Sequence, residues 1–365
     1  MRDFCDWVRR AFSAGSISYF TTVLIAIAAF VIPGLAQNEG PVDNAAPQVR
    51  AKEFAFYGTA LADWAVVTTP AVDGDPITWK ILKNPSSPAP GAAQIRIFNW
   101  GTFGDALTPG SWTGDATYDP GIWRAGNYWI YPSETAGANF QVIRWGNTGD
   151  FVGREGDYDG DGIMDPTVIR IVGTQVVWHI KLSSNGSYRV VNFGGTATGQ
   201  SLFAFRGADF TGDGRDELVI ARSVTAGGAV TWYIGDAVTG AQLMQVRWGD
   251  FDTHFIINPA DYTGDGIADL VTWAAGEAPT AQVWWIRNTA TGALLPPQRF
   301  GIGDPNFVNN DLPIRGDYDG DGIHDLAVWR PSNATFYVLR STSGAFVVQQ
   351  WGLSTDTPLG TFFTF

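Results

Sequence analysis

Short runs of alternating apolar and polar residues fill the chain after residue 36, with turn sequences between them. The runs are rich in Val, Ile, Trp, Tyr, Phe and Thr, and strings such as SSNG, AVTG, TATG and STSG separate them. A period of two places successive side chains on opposite faces of a strand. No stretch after residue 36 has the period of an amphipathic helix, so the pattern predicts an all-β chain.

One long apolar run departs from this alternation. Residues 17–36, ISYFTTVLIAIAAFVIPGLA, follow three arginines and end in small residues ahead of Gln37, which is typical of a secretory signal peptide. About 20 apolar residues also span a bilayer, so an uncleaved signal anchor is the alternative, with the protein held at a membrane. We expect residues 1–36 to direct export, residues 37–50 to be a linker, and residues 51–365 to form one domain.

A repeat organises that domain. Four segments align without gaps: GDYDGDGIMDPTVIR from Gly156, ADFTGDGRDELVIAR from Ala208, ADYTGDGIADLVTWA from Ala260 and GDYDGDGIHDLAVWR from Gly316. Two diverged copies precede them in the chain: FAFYGTALADWAVV from Phe54 and GSWTGDATYDPGIWR from Gly110. The final acidic residues fall at 63, 119, 165, 217, 269 and 325, so the spacing runs from 46 to 56 residues. A period of this length indicates a repeat architecture.

Each copy has two further marks downstream. An aromatic-x-aliphatic strand comes first, at Trp79/Ile81, Tyr128/Ile130, Trp178/Ile180, Trp232/Ile234, Trp284/Ile286 and Phe336/Val338. An aromatic-glycine pair follows, at Trp100/Gly101, Trp145/Gly146, Phe193/Gly194, Trp248/Gly249, Phe300/Gly301 and Trp351/Gly352. About fifty residues and four strands per copy predict the blades of a β-propeller. The C-terminal DTPLGTFFTF resembles a strand that closes the ring, which leaves six or seven blades open.

The charge and the Cys and His content of the chain exclude several classes of partner and of metal site. The 23 basic and 36 acidic residues give a net charge of −13 without any Lys/Arg cluster, which argues against a nucleic-acid partner. A single Cys and three His argue against a disulfide framework and against a Cys/His zinc site. Carboxylates remain as the candidate metal ligands.

The acidic loops have the spacing of calcium ligands. Carboxylates or threonine fall at positions 1, 3, 5 and 9 of a nine-residue loop with glycines at 4 and 6, and the carbonyl at position 7 adds another oxygen, which suits the six to eight ligands of Ca²⁺. We predict about four Ca²⁺ sites: Asp157, Asp159, Asp161, Ile163 and Asp165; Asp317, Asp319, Asp321, Ile323 and Asp325; and two weaker sites with threonine, Asp209, Thr211, Asp213, Arg215 and Glu217, then Asp261, Thr263, Asp265, Ile267 and Asp269. The copy with Asp115 and Asp119 leaves metal binding open, and the Phe54 copy should bind none.

Three other interpretations of the loops are less favoured. An EF-hand needs a glutamate at position 12 and a helix after it, whereas these loops have Val168, Ile220, Thr272 or Val328 there, in β-branched runs. Plain acidic turns would leave four carboxylates repelling one another. Magnesium prefers a smaller shell that keeps its waters.

These residues together carry a family resemblance. DxDGDGxxDL, W-x-I and WG resemble the FG-GAP or VCBS-type repeats of integrin-α-like β-propellers, over about residues 51–365. The resemblance implies that each calcium loop joins the first two strands of a blade. It also implies roles in adhesion, ligand binding or carbohydrate recognition, sometimes beside polysaccharide-degrading domains.

Other candidate residues are weighed by their positions in the repeat. The alternate face of the middle strand presents Lys80, Trp129, His179, Tyr233, Trp285 and Tyr337, which we assign mainly to blade-to-blade packing, with sugar stacking as the alternative. Arg124, Arg170, Arg222 and Arg330 should cap strands or pair with loop carboxylates, and His324 should be exposed in its acidic loop. Six inter-blade aspartates are candidates for a glycosidase pair, although nothing in the sequence singles out two of them: Asp105, Asp150, Asp250, Asp252, Asp304 and Asp356.

The sequence therefore favours a secreted, calcium-stabilised propeller that binds a glycan or a protein outside the cell or at its surface. The alternatives are an extracellular carbohydrate-active enzyme on the same scaffold and a purely structural or adhesion component. His179, His254 and His324 have no evident serine or cysteine partner, so the sequence assigns no catalytic residue.

Overall fold

Six antiparallel β-sheets form the blades of a propeller ring in the computed structural model, which describes residues 50–86, 94–196, 201–223, 228–250, 255–275, 281–303 and 310–361. The predicted signal segment lies outside these residues. Within them the one helical element is a 3₁₀ turn at Pro331–Asn333, and no helix has the length and apolar character needed to cross a bilayer.

The strands follow the repeat in order. Blade 1 holds β1 Trp64–Thr68, β2 Pro76–Leu82 and β3 Ile95–Thr102; blade 2 holds β4 Ala106–Leu107, β5 Gly121–Arg124, β6 Asn127–Ile130 and β7 Gln141–Arg144; blade 3 holds β8 Thr167–Val172, β9 Gln175–Lys181 and β10 Tyr188–Gly195; blade 4 holds β11 Ser201–Ala208, β12 Glu217–Ser223, β13 Ala229–Gly235 and β14 Gln242–Asp250; blade 5 holds β15 Phe255–Ala260, β16 Asp269–Ala275, β17 Ala281–Arg287 and β18 Gln298–Ile302; blade 6 holds β19 Leu312–Ile314, β20 Leu326–Arg330, β21 Thr335–Leu339 and β22 Phe346–Gln350. In blade 3 a single bridge between Phe151 and Ile169 takes the place of the innermost strand.

The aromatic-x-aliphatic residues lie in the third strand of each blade, as predicted. Their aromatic side chains are at most 1% exposed: Trp79, Tyr128, Trp178, Trp232, Trp284 and Phe336. Four of the indoles also donate to the carbonyl of the aromatic-glycine pair at the end of the next strand, as Trp178 Nε1 does to Phe193 O at 2.9 Å. The pair therefore satisfies a buried donor, and its glycine takes a positive φ that turns the chain out of the sheet.

The C-terminal segment closes the ring and fixes the number of blades at six. The last strand, β23 Thr357–Pro358, pairs with β1 through Val66 and Val67 and becomes the innermost strand of blade 1. Asp356, just before it, accepts two hydrogen bonds from Lys80 Nζ at 3.0 and 2.8 Å. Blade 1 is thus built from both ends of the described chain.

A second set of contacts joins neighbouring blades through the repeated loops. In every copy the backbone amide at position 8 donates to the carbonyl at position 1 of the preceding loop, at 2.7–3.0 Å: Ala62 to Asp317, Tyr118 to Ala55, Met164 to Ser111, Asp216 to Asp157, Ala268 to Asp209 and His324 to Asp261. These six hydrogen bonds form an unbroken circle on one face of the ring. We call this circle the loop ring.

Truncation after Ser354 should destabilise the fold, because it removes β23 and leaves Lys80 largely buried without Asp356. Loss of that partner and of the strand pairing should cost about 3 kcal/mol and lower the melting temperature by roughly 5–10 °C. Truncation after Thr361 keeps every contact described for the closure and is the control. Equal melting temperatures for the two truncated chains would contradict this role of β23.

Candidate functional site

The four acidic loops lie on the face that carries the loop ring. Each loop joins the first strand of its blade to the second, which is the connection that the resemblance implied. In blade 3 the loop joins the segment that contains Phe151 to β8. The turn between the third and fourth strands lies at the same end of each blade. Its side chains therefore reach the loop carboxylates.

The aspartate at position 1 shapes each loop. Asp157 Oδ1 accepts from the Gly160 amide at 2.8 Å, and Oδ2 accepts from the Gly162 amide at 2.9 Å. Both glycines have a positive φ, 82° and 89°, which side chains with a Cβ rarely adopt. The same two hydrogen bonds recur at Asp209, Asp261 and Asp317. The glycines at positions 4 and 6 are therefore needed for the backbone to curl around this carboxylate.

The acidic residue at position 9 is a buried anchor. Five of these aspartates accept one hydrogen bond from an amide within the loop and one from the turn after the third strand: Asp63 from Tyr57 and Asn84, Asp119 from Trp112 and Ser133, Asp165 from Tyr158 and Ser183, Asp269 from Tyr262 and Thr289, and Asp325 from Tyr318 and Ser341. Glu217 accepts from Phe210 in the sixth loop. Position 9 thus ties the loop to its own blade, including the copy predicted to bind no metal.

Two loops gather three carboxylates each around one point. Oxygen atoms of Asp157, Asp159 and Asp161 lie within 4.8 Å of one another, and so do those of Asp317, Asp319 and Asp325. Asp319 Oδ1 is buried and has no hydrogen-bond partner among the described residues. Burial raises the pKa of Asp157 to about 7 and that of Asp325 to about 6. Oxygen-only ligands, crowded carboxylates and an unpartnered oxygen are features that suit a hard cation such as Ca²⁺.

The two loops with threonine are less open to a cation. In blade 5, Asn288 Nδ2 donates to Thr263 Oγ1 at 2.8 Å and to Asp265 Oδ2 at 2.6 Å. In blade 4 the guanidinium of Arg215 donates to Asp213 Oδ2 from Nη2 at 2.6 Å and, through this hydrogen bond, lowers the pKa of Asp213. The sequence assigned only a carbonyl ligand to Arg215, whereas its side chain already supplies a cation to this loop.

The two diverged copies satisfy their own polar groups. Asp115 accepts from the Thr117 amide at 2.7 Å, and Thr113 Oγ1 donates to Asp119 at 2.8 Å. In the Phe54 copy, Ala55, Tyr57 and Thr59 stand at positions 1, 3 and 5, so Asp63 is the one carboxylate in the loop. The anchor at position 9 is kept in both copies, although the other carboxylates are lost.

Residues just before the first loop contact several blades. Arg50, the last residue of the predicted linker, donates to both carboxylate oxygens of Asp216 at 2.9 and 2.8 Å. Glu53 lies 3.2 Å from Arg315 Nη2 and 3.1 Å from His324 Nε2. The expectation that His324 is exposed is therefore wrong, because the Glu53 carboxylate holds its side chain, which is only 16% exposed.

Most inter-blade candidates are engaged in ion pairs. Three of the four repeated arginines pair with an aspartate between blades, Arg124 with Asp105, Arg170 with Asp150 and Arg330 with Asp311, while Arg222 stacks on Tyr233. Asp311, which the sequence did not single out, also accepts from the Ile302 amide at 2.7 Å. Asp304 was the candidate for this blade junction and, like Asp252 and His254, it lies outside the described residues.

The alternate face of the third strand serves mainly for packing, as expected. Trp129, Tyr233 and Tyr337 are half-buried and pack against hydrophobic clusters, while Lys80 pairs with Asp356. Indole groups of the aromatic-glycine pairs donate across blade boundaries to this strand, as Trp145 Nε1 does to His179 O at 3.0 Å. His179 differs from the others, since it borders a cleft of about 350 Å³ between blades 2 and 3.

Asp63 should make the metal-free protein less stable as the pH rises. Burial raises its pKa to about 7, so the folded chain holds the proton more tightly than the unfolded chain, whose aspartates titrate near 4. Its contribution is present in full below the unfolded pKa and is lost as the pH rises through 7. Between pH 5 and pH 7 in chelator, the wild type should lose about 2 kcal/mol more of its free energy of unfolding than Asp63→Asn, which lacks the titrating carboxyl group.

Denaturant unfolding at the two pH values measures this difference. Asp73→Asn, on the exposed turn between β1 and β2, is the control for the substitution itself. The same pH dependence in Asp63→Asn and in the wild type would contradict the raised pKa.

Comparison with known protein families supports the repeat. A family model described as an FG-GAP-like repeat matches residues 209–272, which include both loops with threonine, residues 209–217 and 261–269. No curated protein matches the sequence.

Solved structures with some likeness include a lectin of Agrocybe aegerita, described as recognising non-reducing terminal N-acetylglucosamine, with 16% identity over 84% of this chain and 81% of that chain and a TM-score of 0.45. A functionally unknown protein from Desulfotomaculum acetoxidans DSM 771 has 13% identity over 81% of this chain and 85% of that chain, with a TM-score of 0.40. The Nup133 β-propeller domain of Vanderwaltozyma polyspora has 8% identity over 79% and 85%, with a TM-score of 0.36. At TM-scores this low, these likenesses carry no argument about ligand or activity. The chain therefore carries FG-GAP-like repeats on a six-bladed β-propeller.

Proposed function

We propose that this chain is a secreted, calcium-stabilised β-propeller that binds a glycan or a protein outside the cell. The observation that carries the proposal is the pair of three-carboxylate clusters in the loops of blades 3 and 6. Export rests on the apolar segment 17–36, with its basic start and small residues before Gln37.

Calcium would be held by the residues that the spacing predicted. In blade 3 these are Asp157, Asp159, Asp161 and Asp165 with the Ile163 carbonyl, and in blade 6 they are Asp317, Asp319, Asp321 and Asp325 with the Ile323 carbonyl. When bound, the ion neutralises carboxylates that otherwise repel one another at a strand junction. The loops of blades 4 and 5 would bind it more weakly, because Arg215 and Asn288 already contact their ligands.

A binding role is supported by aromatic side chains at the blade edges. Phe140, Tyr188 and Phe346 are 52%, 51% and 60% exposed and lie on the outer strands or the turns before them. Aromatic surfaces next to polar groups are typical of ligand sites. These aromatic side chains lie at the start of the fourth strand, next to the turn whose side chains contact the loop carboxylates.

The enzyme alternative has less support. A glycosidase needs a pair of carboxyl groups free to face the substrate. Three of the aspartates between blades are held instead by basic side chains: Asp105 by Arg124, Asp150 by Arg170 and Asp356 by Lys80. A purely structural or adhesion role remains the second candidate, since the blade edges also suit a protein partner.

Calcium should raise the melting temperature of the protein, and chelator should lower it. A site filled at one hundred times its dissociation constant contributes about 2.7 kcal/mol, which corresponds to a shift of roughly 4 °C for a domain of this size. Asp319→Ala should remove a large part of this response, whereas Asp115→Ala should keep it, because Asp115 contacts only its own loop. Magnesium should restore the melting temperature poorly.

Thermal unfolding with calcium, chelator or magnesium measures these shifts, and metal analysis gives the number of bound ions. An unchanged melt in chelator together with less than about one calcium per chain would overturn the calcium assignment.

A glycan array, run with calcium and with chelator, tests the binding role. We expect calcium-dependent retention of particular glycans, because the metal holds the blades together rather than contacting the ligand. Release of product from a polysaccharide would favour the enzyme instead. A silent array, with the protein folded and calcium-loaded, would favour the structural or adhesion role.

A further inference from the structure

A cleft lies between blades 2 and 3. Trp145 and Asn147 border it from blade 2, and Arg170, His179 and Tyr188 border it from blade 3. Its volume of about 350 Å³ is at the small end of ligand pockets, which range over about 300–1,000 Å³. That volume suits a single sugar residue of a longer chain.

His179 occupies a repeat position on the alternate face of the third strand and borders the cleft. At the place of His179 other blades carry larger rings, Trp129, Tyr233, Trp285 and Tyr337. Trp129 stacks on Phe140 with ring centroids 6.1 Å apart, and Arg330 lies 4.2 Å from the ring centroid of Tyr337. The imidazole of His179 is smaller than any of these rings.

Two aromatic rings form apolar walls in this cleft. The centroids of Trp145 and Tyr188 are 5.9 Å apart with an angle of 47° between the rings, and Tyr188 is half exposed. The Trp145 indole is held in place by its hydrogen bond to His179 O. Rings fixed at an angle offer faces for the flat C–H surfaces of a sugar.

The polar groups of the cleft favour an anion. Arg144 also lines it, and its exposed guanidinium has no hydrogen bond or ion pair to another described residue. Arg170 donates to Asp150 from Nε at 2.7 Å and from Nη2 at 2.9 Å. The side chain of Asn147, with its amide oriented to donate to Gly146 O, also accepts from Arg170 Nη2 at 2.8 Å. One guanidinium is therefore left to pair with a ligand carboxylate in a chain whose net charge is −13. Burial lowers the pKa of His179, so its neutral ring can donate and accept hydrogen bonds with hydroxyl groups.

We propose that the cleft between blades 2 and 3 binds a uronic acid residue of an acidic polysaccharide, with Trp145 and Tyr188 against the sugar ring and Arg144 on its carboxylate. This inference rests on the proposed binding function and names its ligand class and its place. Recognition depends on the opening at His179 and on the charge at Arg144.

The test compares β-1,4-linked tetraglucuronate with cellotetraose, which differs from it at C6, by titration calorimetry at fixed free calcium. The wild type should bind tetraglucuronate at least about tenfold more tightly than cellotetraose, since a charged hydrogen bond contributes about 1.5–3 kcal/mol. Arg144→Ala should remove that preference. Arg247→Ala is the matched control, because Arg247 is exposed and precedes Trp248-Gly249 as Arg144 precedes Trp145-Gly146.

His179→Tyr gives an independent readout, since it restores the ring found at Tyr233 and Tyr337 and should abolish binding to both probes. If this variant fails to fold, the comparison of Arg144→Ala with Arg247→Ala still decides. Equal affinity for the two probes, or equal losses in the two arginine variants, would overturn the cleft proposal.

Two results separate this inference from the wider function. Calcium-dependent retention of other glycans on the array, unchanged by Arg144→Ala and His179→Tyr, would overturn the cleft and leave the binding module in place. No binding of any glycan by the folded, calcium-loaded protein would overturn both.

Discussion

The backbone hydrogen bond from position 8 of one loop to position 1 of the preceding loop is the contact on which the rest of the molecule depends. It recurs six times and links blade 6 to blade 1 as well as each consecutive pair, so the circle has no free end. Blades of a propeller need such a closure, because each blade is a sheet with two faces to cover. The loops therefore act as the joints of the ring as well as candidate metal sites.

Different positions of the loops serve the fold and the proposed metal. Every copy keeps the acidic residue at position 9, including Asp63, whose loop has no second carboxylate. Its two backbone hydrogen bonds explain this, since a buried amide without a partner would cost about 1–3 kcal/mol. Position 3 has no such repeated backbone contact and diverges to Tyr57, Thr113, Thr211 and Thr263, whereas the aspartate at position 5 accepts from the position-7 amide in five copies. An aspartate at position 3, as at Asp159 and Asp319, is therefore the feature that favours the proposed cation, whereas position 9 reflects the fold.

Much of the fold could be predicted from the sequence because the repeat states the same local rules six times. The alternation of apolar and polar residues predicted the strands, and the glycines at positions 4 and 6 predicted the loops. The aromatic-x-aliphatic residues and the aromatic-glycine pairs predicted two further strands in each blade. Long-range partners were beyond this reasoning. Asp311, which the sequence did not single out, pairs with Arg330, and His324 contacts Glu53 across 271 residues. The inter-blade cleft is lined by residues of two blades, such as Trp145 and His179, so no single repeat unit predicts it.

The arrangement of position 1 explains why the proposed ions should act on the whole ring rather than on single blades. The carboxylate of Asp157 closes its own loop through Gly160 and Gly162, while the carbonyl of the same residue accepts from Asp216 in blade 4. Asp216 in turn holds Arg50 and accepts from the Asp157 amide at 2.8 Å. An ion that fixes the Asp157 side chain would therefore also fix the Asp157 backbone. That backbone contacts Asp216 in blade 4, and Asp216 in turn binds Arg50 in the segment before blade 1. The proposed ions and the closure of the ring therefore act through the same contacts of Asp157.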